Sequence, residues 1–195
     1  MPELRLVQVD AFADRPFTGN PAAVMPLEDW LPDEILQAIG QENNLSETAF
    51  TVPDSSGEAD YELRWFTPTA EVAMCGHATL ASGHVLMSGD AVRFRTRKAG
   101  ILAVAHDGDR LLLDLPQILV QPARHDALLE ALGTPDGEVH LSHEGAEANA
   151  MVLLAGAPAV GKRAPYALVL AGTPGRPPLP IGRGQNARGA PHLSA

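Results

Sequence analysis

The chain has 195 residues, of which 45% are hydrophobic and 19% are charged, and its formal net charge is −10. This length and composition predict a globular protein with one domain or two small ones. The acidic excess argues against a nucleic-acid partner. One cysteine excludes an intramolecular disulfide framework and a cysteine-rich zinc site.

The N-terminus has no basic segment followed by an apolar one, and no window of about 20 residues is long and apolar enough to span a bilayer. We therefore expect a cytoplasmic protein without a membrane partner. The charge is unevenly distributed, because every acidic residue lies in 1–150 and the last 45 residues are basic and rich in Pro and Gly. That composition predicts a poorly ordered segment.

Alternating or β-branched runs predict strands in the first two thirds of the chain. The predicted strands are Leu4–Phe12, Ala22–Met25, Glu47–Val52, Tyr61–Phe66, Val92–Arg97, Ile101–Ala105 and Leu111–Leu115. The last two frame a hairpin with Asp107-Gly108 at its tip.

Three helices are predicted between these strands. An amphipathic helix begins after Pro32 and ends near Asn44, where apolar residues recur at helical spacing. The segment Gly76–Met87 is apolar nearly all round, which predicts a buried helix. His125–Leu132 is short and stops at Gly133. The order of elements predicts an α+β fold with a curved mixed sheet wrapped around the buried central helix.

Two segments contain residue types that suit anion binding or acid/base catalysis. Cys75, Gly76 and His77 open the buried helix, where free backbone N–H groups and the positive end of the helix dipole favour a carboxylate. Glu47 sits at the edge of an otherwise apolar strand, where partial burial would raise its pKa and suit it to general acid/base work. The alternative is a solvated glutamate and a histidine without a chemical role.

Five segments, taken together, resemble one family. They are Gln8-Val9-Asp10-Ala11-Phe12, Phe17-Thr18-Gly19-Asn20-Pro21, Asn44-Leu45-Ser46-Glu47-Thr48-Ala49-Phe50, Arg64-Trp65-Phe66-Thr67-Pro68 and Met74-Cys75-Gly76-His77-Ala78-Thr79. In this order and at this spacing they are similar to the N-terminal half of PhzF-like proteins, isomerases of phenazine biosynthesis related to diaminopimelate epimerase. The resemblance runs from about Leu4 to Leu115.

The resemblance implies two similar lobes, each a barrel-like sheet around a central helix, with the active site between them, in a homodimer. It implies that Glu47 moves a proton between two carbons of a small cyclic or amino-acid-like carboxylate, without a cofactor. Gly76, His77 and Asn20 would hold that substrate. Phenazine-pathway members isomerise a dihydro-hydroxyanthranilate.

The related epimerases and racemases use two opposed cysteines as bases, so a Cys75-dependent epimerase or racemase is an alternative activity. This chain has no second cysteine, which favours an inert Cys75. The other alternative is a catalytically inactive single-lobe fragment or an assembly protein.

The sequence after residue 118 shows no Gly-Ser-Ala-type helix start of a second lobe. We therefore assign 1–118 to the PhzF-like lobe, 119–150 to a short helix and linker, and 151–195 to a poorly ordered or frame-shifted tail. Gly156–Lys162 imitates a phosphate-binding loop, but Arg163 stands where a Ser or Thr is needed. No histidine has an acidic or cysteine partner at a convincing metal-ligand spacing in the sequence.

Overall fold

The computed structural model describes residues 3–117, 119–142 and 150–155. The chain divides into two compact units, which meet in sequence between Pro116 and Gln117. Of the predicted tail, 151–195, only residues 151–155 are described. The rest, including the segment Gly156–Lys162 that resembles a phosphate-binding loop, lies outside the described residues, so its predictions stay predictions.

The first unit is built on one curved sheet. Its strands are β1 (Val7–Ala11), β2 (Asn20–Pro26), β3 (Glu47–Pro53), β4 (Tyr61–Phe66), β5 (Glu71–Val72), β6 (Ala91–Thr96), β7 (Ile101–Asp107) and β8 (Arg110–Asp114). The order is β1-β2-β3-β4-β6-β7-β8, with β5 added beside β4. The β2–β3 and β4–β6 pairs are parallel and the remaining pairs are antiparallel, which makes the sheet mixed.

Two helices cover opposite faces of this sheet. Helix α2 (Gly76–Leu86) is buried at seven consecutive positions, from His77 to Gly83, and contacts strands β1, β2, β3, β6, β7 and β8. Helix α1 (Asp33–Asn43) packs on the outer face against β3 and β4 and ends where Asn44 adopts a left-handed conformation. The predicted α+β fold with a curved sheet around a buried central helix is confirmed, because a helix that is apolar all round needs partners on every side.

The two faces of β3 and β4 explain why these strands are buried almost throughout. Ala49, Leu63 and Trp65 face α2 in one apolar cluster. Phe50 and Phe66 face α1 in the other, with their rings in edge-to-face contact at 5.5 Å. Because successive side chains of a strand point to opposite faces, both helices draw on the same two strands.

The second unit contains strands that the sequence analysis did not predict. Helix α3 (Asp126–Ala131) agrees with the predicted short helix. Strands β9 (Val120–Ala123), β10 (Glu138–Ser142) and β11 (Ala150–Leu153) form an antiparallel sheet in the order β11-β10-β9. Pro122 within β9 and short, partly exposed strands weaken the sequence signal, because a proline ordinarily argues against a strand. No described helix is long and apolar enough to cross a membrane.

Candidate active site

The candidate site lies where β2 and β3 begin and α2 starts. Parallel pairing sets Ala22, the third residue of β2, opposite Glu47, the first residue of β3, so both strands begin at the same edge of the sheet. At this edge the Ser46 hydroxyl donates to the Asn20 side-chain oxygen at 3.4 Å. The structure therefore places Asn20 beside the residue that precedes Glu47.

Glu47, Cys75 and His77 converge in one cluster. His77 Nε2 lies 3.2 Å from Glu47 Oε2, and His77 Nδ1 lies 3.3 Å from Cys75 Sγ. One side-chain ligand atom from each residue lies within 4.8 Å of the others. The resemblance assigns Glu47 and His77 to one substrate, but sequence reasoning did not predict their direct contact or the approach of Cys75. Nearly thirty residues separate Glu47 from the other two, and no local spacing reports a tertiary contact.

The cluster is largely desolvated. Cys75 and His77 are buried, and Glu47 is half-buried. Burial raises the pKa of the Glu47 carboxyl, and contact with the Cys75 thiol opposes this shift less strongly. Burial lowers the pKa of His77 to about 4, although the nearby Pro21 backbone favours its charged form. The imidazole is therefore neutral at neutral pH, and its contact with Glu47 is not an ion pair.

Cys75 is held in its thiol form. Burial, and next the Glu47 carboxylate, raise the pKa of this thiol, outweighing the backbone N–H groups of His77 and Ala78 that favour the thiolate. Cys75 occupies the residue position just before α2, with extended backbone and no side-chain cap. The Thr79 hydroxyl donates to the Cys75 carbonyl at 2.6 Å, which fixes the turn that presents the thiol.

Gly76 is the first residue of α2. A β-carbon built on it would lie 3.6 Å from Leu115 and 3.9 Å from Leu113, which is ordinary contact distance. Gly83 in the same helix differs, because a β-carbon there would lie 2.6 Å from Val104. The described surroundings thus leave room for a small side chain at the start of the helix and none near its end.

The chemistry of the cluster follows from these environments. A carboxyl group with a raised pKa, beside a neutral imidazole and next to the first backbone N–H groups of a helix, can give and take a proton while an anion is held nearby. The sequence analysis did not single out Pro21, whose backbone acts on the pKa of His77. Only its position in the Phe17–Pro21 segment indicated that it could lie near the site.

Comparison with known proteins supplies the family. Residues 9–162 match the model of the PhzC-PhzF family, described as phenazine biosynthesis-like protein. The chain belongs to this family. The resemblance seen in the sequence is therefore confirmed, and the match extends beyond Leu115, the last residue of the stretch in which the sequence analysis found it.

Individual PhzC-PhzF relatives agree. An uncharacterized isomerase of Pseudomonas aeruginosa is 55% identical over 143 residues, which cover 70% of this chain and 54% of that protein. A second uncharacterized isomerase of the same organism is 44% identical over 188 residues, covering 93% of this chain and 69% of that protein. The chain thus spans about half the length of the first and about two thirds of the second.

The fold also matches solved PhzF structures. The crystal structure of a PhzF family protein from Enterococcus faecalis superposes with a TM-score of 0.72 at 39% identity, covering 87% of this chain and 64% of that chain. The first unit alone cannot account for 87% of the residues, so the likeness includes part of the second. The 93% match to the second isomerase likewise continues past residue 155.

Proposed function

We propose that this PhzF-family isomerase chain moves a proton on a small cyclic or amino-acid-like carboxylate, with Glu47 as the general acid/base and without a cofactor. The observation that carries the proposal is the half-buried Glu47 carboxyl, with a raised pKa, 3.2 Å from a neutral histidine. A carboxyl group with a raised pKa can accept a proton from one carbon and return it to another. We also propose that the protein acts as a homodimer.

The surrounding groups have separate roles. His77 keeps a neutral ring beside Glu47, so it can hydrogen-bond a substrate without neutralising the carboxylate that acts as base. Asn20 adds an amide at the same sheet edge, and Gly76 begins the helix whose first N–H groups favour the substrate carboxylate.

The test measures exchange of carbon-bound protons in D2O by NMR, over a panel of cyclic and amino-acid-like carboxylates. We expect at least one compound to exchange or isomerise, and we expect Glu47→Gln to slow it by at least about 10²-fold, the lower range for one general acid/base group. Glu28→Gln is the matched control, because Glu28 is exposed on the surface. Equal rates for wild type and Glu47→Gln would refute the role of Glu47. If the wild type exchanges or isomerises none of the compounds, the result would favour a catalytically inactive protein.

The same assay separates this proposal from a thiol-based racemase. The buried Cys75 stays a protonated thiol, which makes it a poor base. We expect Cys75→Ser to keep the rate within about 10-fold, whereas loss of a base would cost at least about 10²-fold. Exchange at a stereocentre that disappears in Cys75→Ser would instead establish the racemase.

A further inference from the structure

The described residues bring three metal-ligating side chains together in the candidate site. A thiol, an imidazole and a carboxylate each offer one atom, within 4.8 Å of the others. The geometry points to a second ligand for this site: a soft divalent cation such as Zn²⁺ or Cd²⁺, bound by Cys75, His77 and Glu47. Metal binding itself goes beyond the proposed function and does not depend on it, whereas the inhibition described below rests on the proposed role of Glu47.

Two unsatisfied atoms support the inference independently of the clustering. Glu47 Oε2 and His77 Nε2 are both buried and neither has an aligned hydrogen-bond partner, although they face each other at 3.2 Å. His77 is more than nine-tenths buried, at 8% exposure. A buried polar atom without a partner is costly, and a cation accepting lone pairs from both atoms would satisfy them together.

The donor set selects the class of metal. Thiolate and imidazole ligands favour Zn²⁺ and its softer analogues, whereas Mg²⁺ and Ca²⁺ prefer oxygen ligands alone. With Zn–S near 2.3 Å and Zn–N near 2.0 Å, neighbouring ligand atoms of a tetrahedral site lie about 3.5 Å apart. The 3.2 Å between His77 Nε2 and Glu47 Oε2 already matches this spacing. Cys75 Sγ lies beside the other ring nitrogen, 3.3 Å from Nδ1, so its side chain has to turn toward Nε2 for the three groups to share one cation.

Binding is an exchange of a proton for a metal ion, with no redox step. The Cys75 S–H bond breaks, its proton passes to solvent, and the sulfur forms a bond to the cation. The Glu47 carboxylate gives a lone pair to the same ion. Since that lone pair is the one that would accept a proton, the metal-bound chain cannot use Glu47 as a base, and the cation acts as an inhibitor.

The test titrates the full purified chain with Cd²⁺ alone and records sulfur-to-metal charge-transfer absorption, with ¹¹³Cd NMR on the wild type to identify the donor atoms. Cys75 is the sole cysteine, so such a band reports on that sulfur. We expect one equivalent of Cd²⁺, displacement by Zn²⁺ and no displacement by Mg²⁺. We expect Cys75→Ser to abolish the band.

The neighbouring ligands are tested by His77→Asn and Glu47→Gln, each of which should weaken Cd²⁺ binding by at least about 10-fold. His84→Asn and Glu28→Gln are matched controls at exposed positions and should bind as the wild type does. Absence of the band in the wild type would overturn the inference. So would a band whose affinity is the same in His77→Asn and Glu47→Gln, because the sulfur alone would then hold the metal. Circular dichroism verifies that each variant is folded.

Discussion

The sheet formed by β3 and β4 has one polar cluster on each face. The two clusters differ in whether their titratable groups are charged and paired or neutral. Toward α1, the buried Arg64 donates two hydrogen bonds to Glu71 and one to Asp33, at 2.8 to 2.9 Å. Its guanidinium also lies over the rings of Trp30 and Phe66, at about 5 Å from each centroid. Toward α2, the cluster of Glu47, Cys75 and His77 holds groups that burial drives to their neutral forms.

The difference indicates that the Arg64 cluster stabilises the fold, whereas the Glu47 cluster is suited to binding or reaction. Arg64 lowers the pKa of Glu71 and keeps both groups charged and paired, which is an arrangement that holds β4, β5 and α1 together. In the other cluster two buried atoms have no aligned partner. A binding or catalytic site keeps hydrogen-bonding atoms free for its ligand. Buried groups that have shifted pKa values and no hydrogen-bond partner are therefore the first candidates for function.

Of the substitutions that test this difference, we expect one at Arg64 to change stability most. Arg64→Met should lower the free energy of unfolding by about 2 to 4 kcal/mol, somewhat below the usual cost of breaking a fully buried pair, because Glu71 and Asp33 keep access to water. Urea unfolding measures it. Arg97→Met is the control, since Arg97 touches the same two carboxylates from an exposed position and should cost under about 1 kcal/mol. Equal losses in both variants would show that the burial of Arg64 adds nothing.

The next effect is a pH dependence from His77. The unfolded chain takes up this proton near pH 6.5, whereas the folded chain does so only near pH 4. Between these values the unfolded state binds more protons, so stability rises with pH from 4 to 6.5, by up to about 3 kcal/mol from this group.

Urea unfolding across this pH range tests it. We expect the slope to flatten in His77→Gln and to persist in His84→Gln, whose histidine is exposed on the same helix. An unchanged slope in His77→Gln would mean that the imidazole is not desolvated in the folded protein.

The smallest effect contrasts two glutamates under the same substitution. At neutral pH, Glu47→Gln should leave stability unchanged or raise it by up to about 1 kcal/mol, because the folded state disfavours this charge. Glu71→Gln should lower it by about 1 kcal/mol, because a partly exposed charged partner of Arg64 is lost.

The sign of these changes follows from linkage. Because the pKa of Glu47 is raised in the folded state, its contribution to stability falls as pH rises from 4.5 toward the folded pKa. Because the pKa of Glu71 is lowered, its contribution to stability rises as pH rises from the folded pKa to 4.5. Thermal or urea unfolding at neutral pH should therefore separate the two variants. A destabilised Glu47→Gln would place Glu47 among the structural ion pairs.

Much of the first unit could be predicted from sequence. Helix α2 begins at Gly76 as predicted, since a run that is apolar all round is an unambiguous signal, and Tyr61–Phe66 has the predicted bounds. Strand β5 was missed, because two residues are too short for any period to appear. That omission hid Glu71, the principal partner of Arg64.

The family, the fold class, the buried helix and the candidate residues could all be predicted from sequence, because they depend on local periodicity and on segments at close spacing. The direct contacts among those residues depend on the folded chain. The parallel register of β2 and β3 carries Glu47 to His77 and Pro21, and burial by α2 then sets the protonation states. Such contacts join residues far apart in sequence, and desolvation depends on everything packed around a group, so no local pattern could report either.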